Sequence, residues 1–314
     1  MSEDTRKENT EFTEDENIFG ENFFDNSSTE PDYDESELEL FPFDKPRVIT
    51  LRNGTVHEFV IPTLLQEKRR VGIQRTIINT SPAVVNGQNP RQILVDYSKS
   101  RLAYYQDTVS KIKGYRFGSE FPDPEQWLDA RKVIGQQSLP NGKEKPILLA
   151  SKIPVKHQRA AAERLYGGKL EIVKPKLKEG EKVVHDLNTR VRIHVKQEFG
   201  IEQLDNGDFT APDHVVHYFL NEPNSNHLSK WEMQCFSGQT LNNPKGGSTE
   251  TRVYNIEECA KLFDSMIDEI TGGSVFDGDP VDVRNTTHLP LIPWAIKMDV
   301  ISLVMNDQTT DSGN

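Results

Sequence analysis

One order of elements is written twice along this chain, and any fold must accommodate both copies. Val56-His57-Glu58-Phe59, followed by Pro62, resembles Val216-His217-Tyr218-Phe219, followed by Pro223. Each stretch comes after a turn region bearing Asn-Gly, at Asn53-Gly54 and at Asn206-Gly207, and each precedes a polar segment of helical character. Tyr104-Tyr105 up to Gly114 resembles Leu262-Phe263 up to Gly272, which sets Val109 against Ile267 and Ile112 against Ile270. Ile153-Pro154 and Ile292-Pro293 each stand before a helix. The repetition is uneven, because the first copy holds an extra stretch around Pro122 to Pro146. The shared order of hairpin, helix, long helix and Ile-Pro helix predicts an α+β chain of two tandem units. A lone hairpin is marginal in water and needs a helical layer over its apolar face. Two such units can share strands across one sheet or pack as a pseudo-dimer.

The local signals give boundaries. Val48 to Leu51 reads as a strand, Asn53-Gly54 as a hairpin turn and Thr55 to Ile61 as the return strand, closed by Pro62. Thr63 is the expected N-cap of a helix through Leu64, Leu65 and Val71, reaching toward Ile77. Residues 81–91 read as a loop. Leu94, Tyr97, Leu102, Tyr105, Val109 and Ile112 keep helical spacing over Ile93 to Lys113, and Gly114 ends it. A short helix is expected over Pro124 to Val133, then helices over Val155 to Tyr166 and Trp294 to Met305. Arg190 to Lys196 alternates cleanly, with Val191, Ile193 and Val195 on one face and Arg190, Arg192, His194 and Lys196 on the other, so it predicts a half-buried strand. His214 to Leu220 reads as another. The expected divisions are a disordered acidic tail over 1–44, a first unit over 45–168, a connector over 169–189 with room for short strands, a second unit over 190–307 and a disordered end over 308–314.

Charge separates the first of these from the rest. Residues 1–44 hold sixteen acids against Arg6 and Lys7, a net of −14 in a chain whose total is −12, so the remainder carries +2. Like-charge repulsion and scarce aliphatics leave that leader too little burial to offset chain entropy. Its acids are punctuated by aromatics, and Ile18 to Phe24 is the best anchor peptide, with Phe19, Phe23 and Phe24 as the partner-binding rings. A near-neutral body lacks the basic excess of a nucleic-acid binder, so nucleic acid is an unfavoured partner. No apolar run approaches bilayer-spanning length and the N-terminus lacks a signal-like apolar region, so no membrane partner is expected. With only Cys235 and Cys259, a reducing cytoplasm is the simpler setting.

Motifs for chemistry are missing. His214 and His217 form an HxxH, but in a strand residues three apart face opposite ways, so no shared metal is expected. His57 and His217 read as structural strand-end histidines. The cysteines lack zinc spacing. Gly246-Gly247-Ser248-Thr249 has no Walker lysine and reads as a flexible loop, and Asp277, Asp279 and Asp282 as a solvated turn. Trp127, Trp231 and Trp294 read as core or interface residues. No catalytic residue, metal ligand or cofactor is expected, and the chain reads as no enzyme. The basic strand face, with Arg190, Arg192 and Lys196, reads as a partner-binding dock for acidic groups, and the chain's own leader is one candidate occupant.

Val216 to Pro223, Ile256 to Gly273 and Leu291 to Met305, with the fainter copy at Val56 to Pro62, Tyr104 to Gly114 and Ile153 to Gly168, resemble small tail-assembly proteins of long-tailed bacteriophages and phage-like particles. The match is one of pattern and covers about half the chain. The resemblance implies a chaperone or adaptor that holds tail components before assembly, without catalysis and with structural tail proteins as partners. The alternative from another class is a nucleic-acid-associated regulator whose acidic tail masks the basic strand.

Overall fold

The computed structural model describes residues 33–74, 76–80, 91–95, 97–118, 123–140, 142–166, 168–174, 192–201, 210–242 and 248–311. One compact unit comprises Asp34–Ile201 and Pro212–Asn314; of a second, Met1–Tyr33 with Glu202–Ala211, only Tyr33, Thr210 and Ala211 are described.

The larger unit is α+β. It begins with a short strand, β1 (Phe41–Pro42), and the hairpin β2 (Arg47–Thr50) and β3 (Val56–Phe59). Gly54 takes a φ of +78° at the hairpin turn, a conformation open to glycine at little cost. Helix α1 (Leu64–Ile73) starts on a capping box in which Thr63 and Gln66 exchange side-chain and backbone bonds. A second hairpin, β4 (Thr76–Thr80) and β5 (Arg91–Val95), leads to α2 (Tyr97–Thr108) and then β6 (Val109–Lys113), which returns to β3. Strand β7 (Leu128–Asp129), the hairpin β8 (Val133–Ser138) and β9 (Glu144–Leu148), and α3 (Val155–Tyr166) complete the first half.

The second half repeats this order. After β10 (Gly168–Ile172) come the hairpin β11 (Arg192–Phe199) and β12 (His214–Asn221), helix α4 (Ser225–Gln234), the hairpin β13 (Phe236–Asn242) and β14 (Ser248–Tyr254), α5 (Ile256–Met266) and β15 (Ile267–Thr271). Short strands β16 (Gly273–Val275) and β17 (Asp279–Pro280) precede α6 (Trp294–Asp311). A single 3-10 turn leads into each Ile-Pro helix, at Leu149–Lys152 and at Leu289–Leu291.

The correspondence extends to register. β3 meets β6 as Val56–Lys113, His57–Ile112 and Glu58–Lys111, then slips so that Phe59 faces Val109. β12 meets β15 as His217–Thr271, Tyr218–Ile270 and Phe219–Glu269, then slips so that Leu220 faces Ile267. The capping box recurs at Asn224 and His227. Gly114 and Gly272 follow the paired strands at φ +90° and +78°, Gly114 against Thr55 just before β3 and Gly272 against Val215 and Val216 near the start of β12. The sequence set His57 against His217; the register sets it against Tyr218. Identity of residue type misled there, whereas the side-chain facing corresponds: His57 and Tyr218 both point inward and are buried.

Each half has its own four-stranded sheet, ordered β2-β3-β6-β7 and β10-β11-β12-β15. Beneath them Phe59, Tyr105, Val109 and Ile112 fill the first core at positions that Leu220, Phe263, Ile267 and Ile270 fill in the second. The two inner hairpins merge into a third sheet, ordered β13-β14-β4-β5.

Several expectations are corrected. The helix toward Ile77 stops at Ile73, and residues 76–80 pair with β14 and β5. The long helix over Ile93 to Lys113 is a strand, a helix and a strand, because Val109 and Ile112 are held opposite β3. In place of a helix over Pro124 to Val133 stands β7, paired with β6. The connector begins, as its room for short strands allows, with β10, zipped onto β11. The C-terminal helix runs past residue 308 to Asp311. Trp127 is exposed, whereas Trp231 is buried against Phe236 and Tyr254. Residues 34–44, expected within the disordered tail, belong to the larger unit, with Phe41 and Phe43 fully buried. The turn at residues 205–208 lies outside the described residues, as do Gly246 and Gly247 of the expected flexible loop, whereas Ser248 and Thr249 of that loop stand in β14 opposite Asn242 and Leu241.

Candidate functional site

The alternation of β11 places Ile193, Val195, Gln197 and Phe199 inward and Arg192, His194, Lys196 and Glu198 on the other face. Pairing with β12 then sets His194 beside Phe219 and Lys196 beside His217. The His194 ring stacks on Phe219 with centroids 4.6 Å apart, and its Nε2 lies 2.8 Å from His217 Nδ1. Burial, joined by the neighbouring His217, holds His194 below the ordinary imidazole range.

This face receives the end of the leader. A 3-10 turn over Glu35–Glu37, capped by the Asp34 side chain, holds Glu35 over the sheet. One Glu35 oxygen lies 2.9 Å from Lys196 Nζ and the other 3.0 Å from His217 Nε2. Burial works against the Glu35 carboxylate, but Lys196 and His217 outweigh it and hold its pKa below the usual value. His214 Nδ1 bonds the Glu39 carbonyl at 2.9 Å, so both histidines of the HxxH meet the leader. Phe41 then stacks on Phe199 at 4.0 Å, with the Arg47 guanidinium 4.4 Å from its ring centre. β1 runs parallel to β16, and Asp44 accepts the Phe276 N–H at 2.8 Å.

Of the residues singled out in the sequence, Lys196 and Arg192 sit on this face and only Lys196 touches the leader. Lys196 also pairs with Glu198 at 2.8 Å. Arg192 is held by Asp268 and Glu269 of β15. Phe19, Phe23, Phe24 and Arg190 lie outside the described residues. The sequence missed Glu35, His214, His217 and Phe41 as contributors. The signal available was the change from scattered aromatics to the tight Phe41-Pro42-Phe43, which ends the acidic segment. Chemically, the face is a small carboxylate-binding surface already occupied by the chain itself.

Two further polar clusters lie inside. In the first half His57 Nδ1 lies 2.8 Å from Tyr105 Oη, and Tyr115 Oη bridges His57 Nε2 at 3.2 Å and His157 Nδ1 at 2.8 Å. His157 Nε2 reaches Asn53 at 2.9 Å. The relay therefore runs from a buried tyrosine to the hairpin turn. Where the halves meet, buried Glu67 accepts from Arg70 Nε at 2.7 Å and from the Tyr104 hydroxyl, with Asp299 of α6 facing Arg70 electrostatically. Among the described residues no group of three or more His, Cys, Asp or Glu is placed to hold a metal ion. No described helix is long and apolar enough to cross a membrane. Cys235 and Cys259, distant in sequence, are buried together, with the Cys259 thiol 3.7 Å from the Cys235 carbonyl oxygen.

A scan against protein-family models, a search of curated proteins and a search of solved structures each find no match for the chain.

Proposed function

We propose that this chain is a non-enzymatic assembly or adaptor protein, with the doubled body as scaffold and the acidic-aromatic leader as the segment that captures a protein partner. The observation that supports it is the fastening of the leader. Glu35, Glu39, Phe41 and Phe43 tie it to the second half, so the preceding residues start from an anchored point. A segment tethered to a rigid body loses less freedom when it binds than a free peptide does. The cytoplasm is the proposed setting. The pattern resemblance makes structural tail proteins of phage-like particles the first partners to try.

The test is co-purification followed by mass spectrometry with three chains: the full chain, one lacking residues 1–32, and one with Phe19, Phe23 and Phe24 changed to Ala. The full chain should capture a partner that both variants lose. Capture of the same partner by the chain lacking 1–32 would remove the leader from this role. Salt-sensitive nucleic-acid binding by that truncated chain, but not by the full one, would instead favour the regulator.

A further inference from the structure

The seam between the two halves is head-to-tail, and that leaves it open at both ends. β4 and β13 are corresponding strands, as are β5 and β14. Thr76–Val95 and Thr80–Arg91 pair in the first inner hairpin just as Ser237–Val253 and Leu241–Thr249 do in the second. The seam joins β14 to β4, from Ser248–Thr80 to Arg252–Thr76. It therefore joins the second strand of one hairpin to the first strand of the other. A two-fold seam would have joined like to like, β4 to β13 or β5 to β14. A head-to-tail surface is not self-complementary, so its two sides recur on every copy of the unit. The chain uses one side from each half. The sides left over are the outer edge of β5 and the outer edge of β13, and among the described residues no strand pairs with either.

We propose that this chain associates with further copies of itself by repeating that seam between molecules, β5 of one chain adding to β13 of the next. The partner is a second copy rather than an arbitrary strand, because the complement of each open edge is already built into the other half. Moving each residue of the internal seam to its counterpart fixes the register. Glu250 opposite Ile78 becomes Gln92 opposite Gln239, and Thr251 opposite Ile77 becomes Ile93 opposite Gly238. Arg91 then faces Thr240, and Leu94 faces Ser237. Neither strand contains proline, so neither lacks a backbone donor. Across the internal seam α1 lies beside β14 and α5, with Lys68 paired to Glu257 at 2.8 Å. Between molecules α4 of the second chain takes that place beside β5 and α2 of the first. Repetition closes a ring if the rotation per unit returns to its start, and otherwise builds a filament. The proposal makes no use of residues 1–32, so it stands or falls apart from partner capture.

Two measurements test it on the full chain. Light scattering across a concentration series should show the mass rising in whole multiples of one chain. A single-chain mass at every concentration would overturn the proposal. For the register, Gln92→Cys and Gln239→Cys are made in separate chains, each checked for parental circular dichroism, then mixed under a mild thiol oxidant. The mixture should cross-link at least ten-fold more than either variant alone. Equal cross-linking by Gln92→Cys alone would mean a like-to-like seam and overturn the head-to-tail assignment. Should either variant misfold, Arg91→Cys with Thr240→Cys tests the adjacent pair in the same way.

Discussion

His57 and Asp299 answer acid in opposite senses. Burial, joined by the charge of His157, depresses His57 to about 4. The folded state then favours the neutral ring, so its contribution is complete above the unfolded imidazole value and is lost as pH falls toward 4. A shift of that size is worth about 3 kcal/mol. Burial raises Asp299 to about 6, with Glu67 adding to the rise and Arg70 opposing it. The folded state there favours the protonated carboxyl, so its contribution is complete below the unfolded carboxylate value and is lost as pH climbs through 6, again by about 3 kcal/mol. Between pH 4 and 6 the two partly cancel. Urea midpoints at pH 7, 6, 5 and 4 should expose each singly. Asp299→Asn should be more stable than the parent at pH 7 and should lose stability more steeply in acid. His57→Gln should start lower and vary less over the same range. Parallel curves for parent and both variants would refute these assignments.

The elements carry the duplication, and two glycines carry its register. A Cβ on Gly272 would stand 2.1 Å from the Val215 carbonyl oxygen, and one on Gly114 would stand 2.9 Å from Thr55 Cα. Both positions also have positive φ, which an alanine adopts at a cost. Gly272→Ala should therefore lose roughly 1–3 kcal/mol in chemical denaturation, and Gly114→Ala somewhat less. Equal tolerance of alanine at both would argue against the paired slip in β3 and β12. Much of this layer was legible in the sequence: the alternation of β11, the Ile-Pro starts of α3 and α6, and the shared order of the halves. What stayed hidden depends on residues far along the chain. Thr76 to Thr80 continue the apolar spacing of α1 in sequence, yet become a strand because β14 supplies a ladder more than 160 positions later. Strand formation follows such cross-strand partners more than local preference. The one-residue error at His57 has the same root, since the facing of that ring is set by β6 and α2.

For the molecule as a whole, the cut that separates leader from body falls near residue 33. A chain lacking residues 1–32 should unfold at the parental midpoint. A chain lacking 1–44 also loses Phe41 and Phe43 from the core, and Phe41→Ala alone should cost about 3–5 kcal/mol. Thermal and urea unfolding of the three chains will separate these cases, and identical curves for both truncations would show that the fastening adds nothing. On the site, Lys196 was legible because a basic row on a clean strand announces an acidic neighbour. The identity of that neighbour was not, since Glu35 reaches it only through the tertiary fold.

That fastening also has a direction in time. Ser274 contacts the Phe41 carbonyl from 233 positions further along. A ribosome therefore releases the aromatic plug long before it makes the groove that receives it. Until β11 and β12 are made, the first half has its own hairpin and helices, but the leader has nowhere to seat. The clasp therefore shuts in two stages, first onto β11 and β12 and then, once Gly273–Val275 have emerged, onto β16.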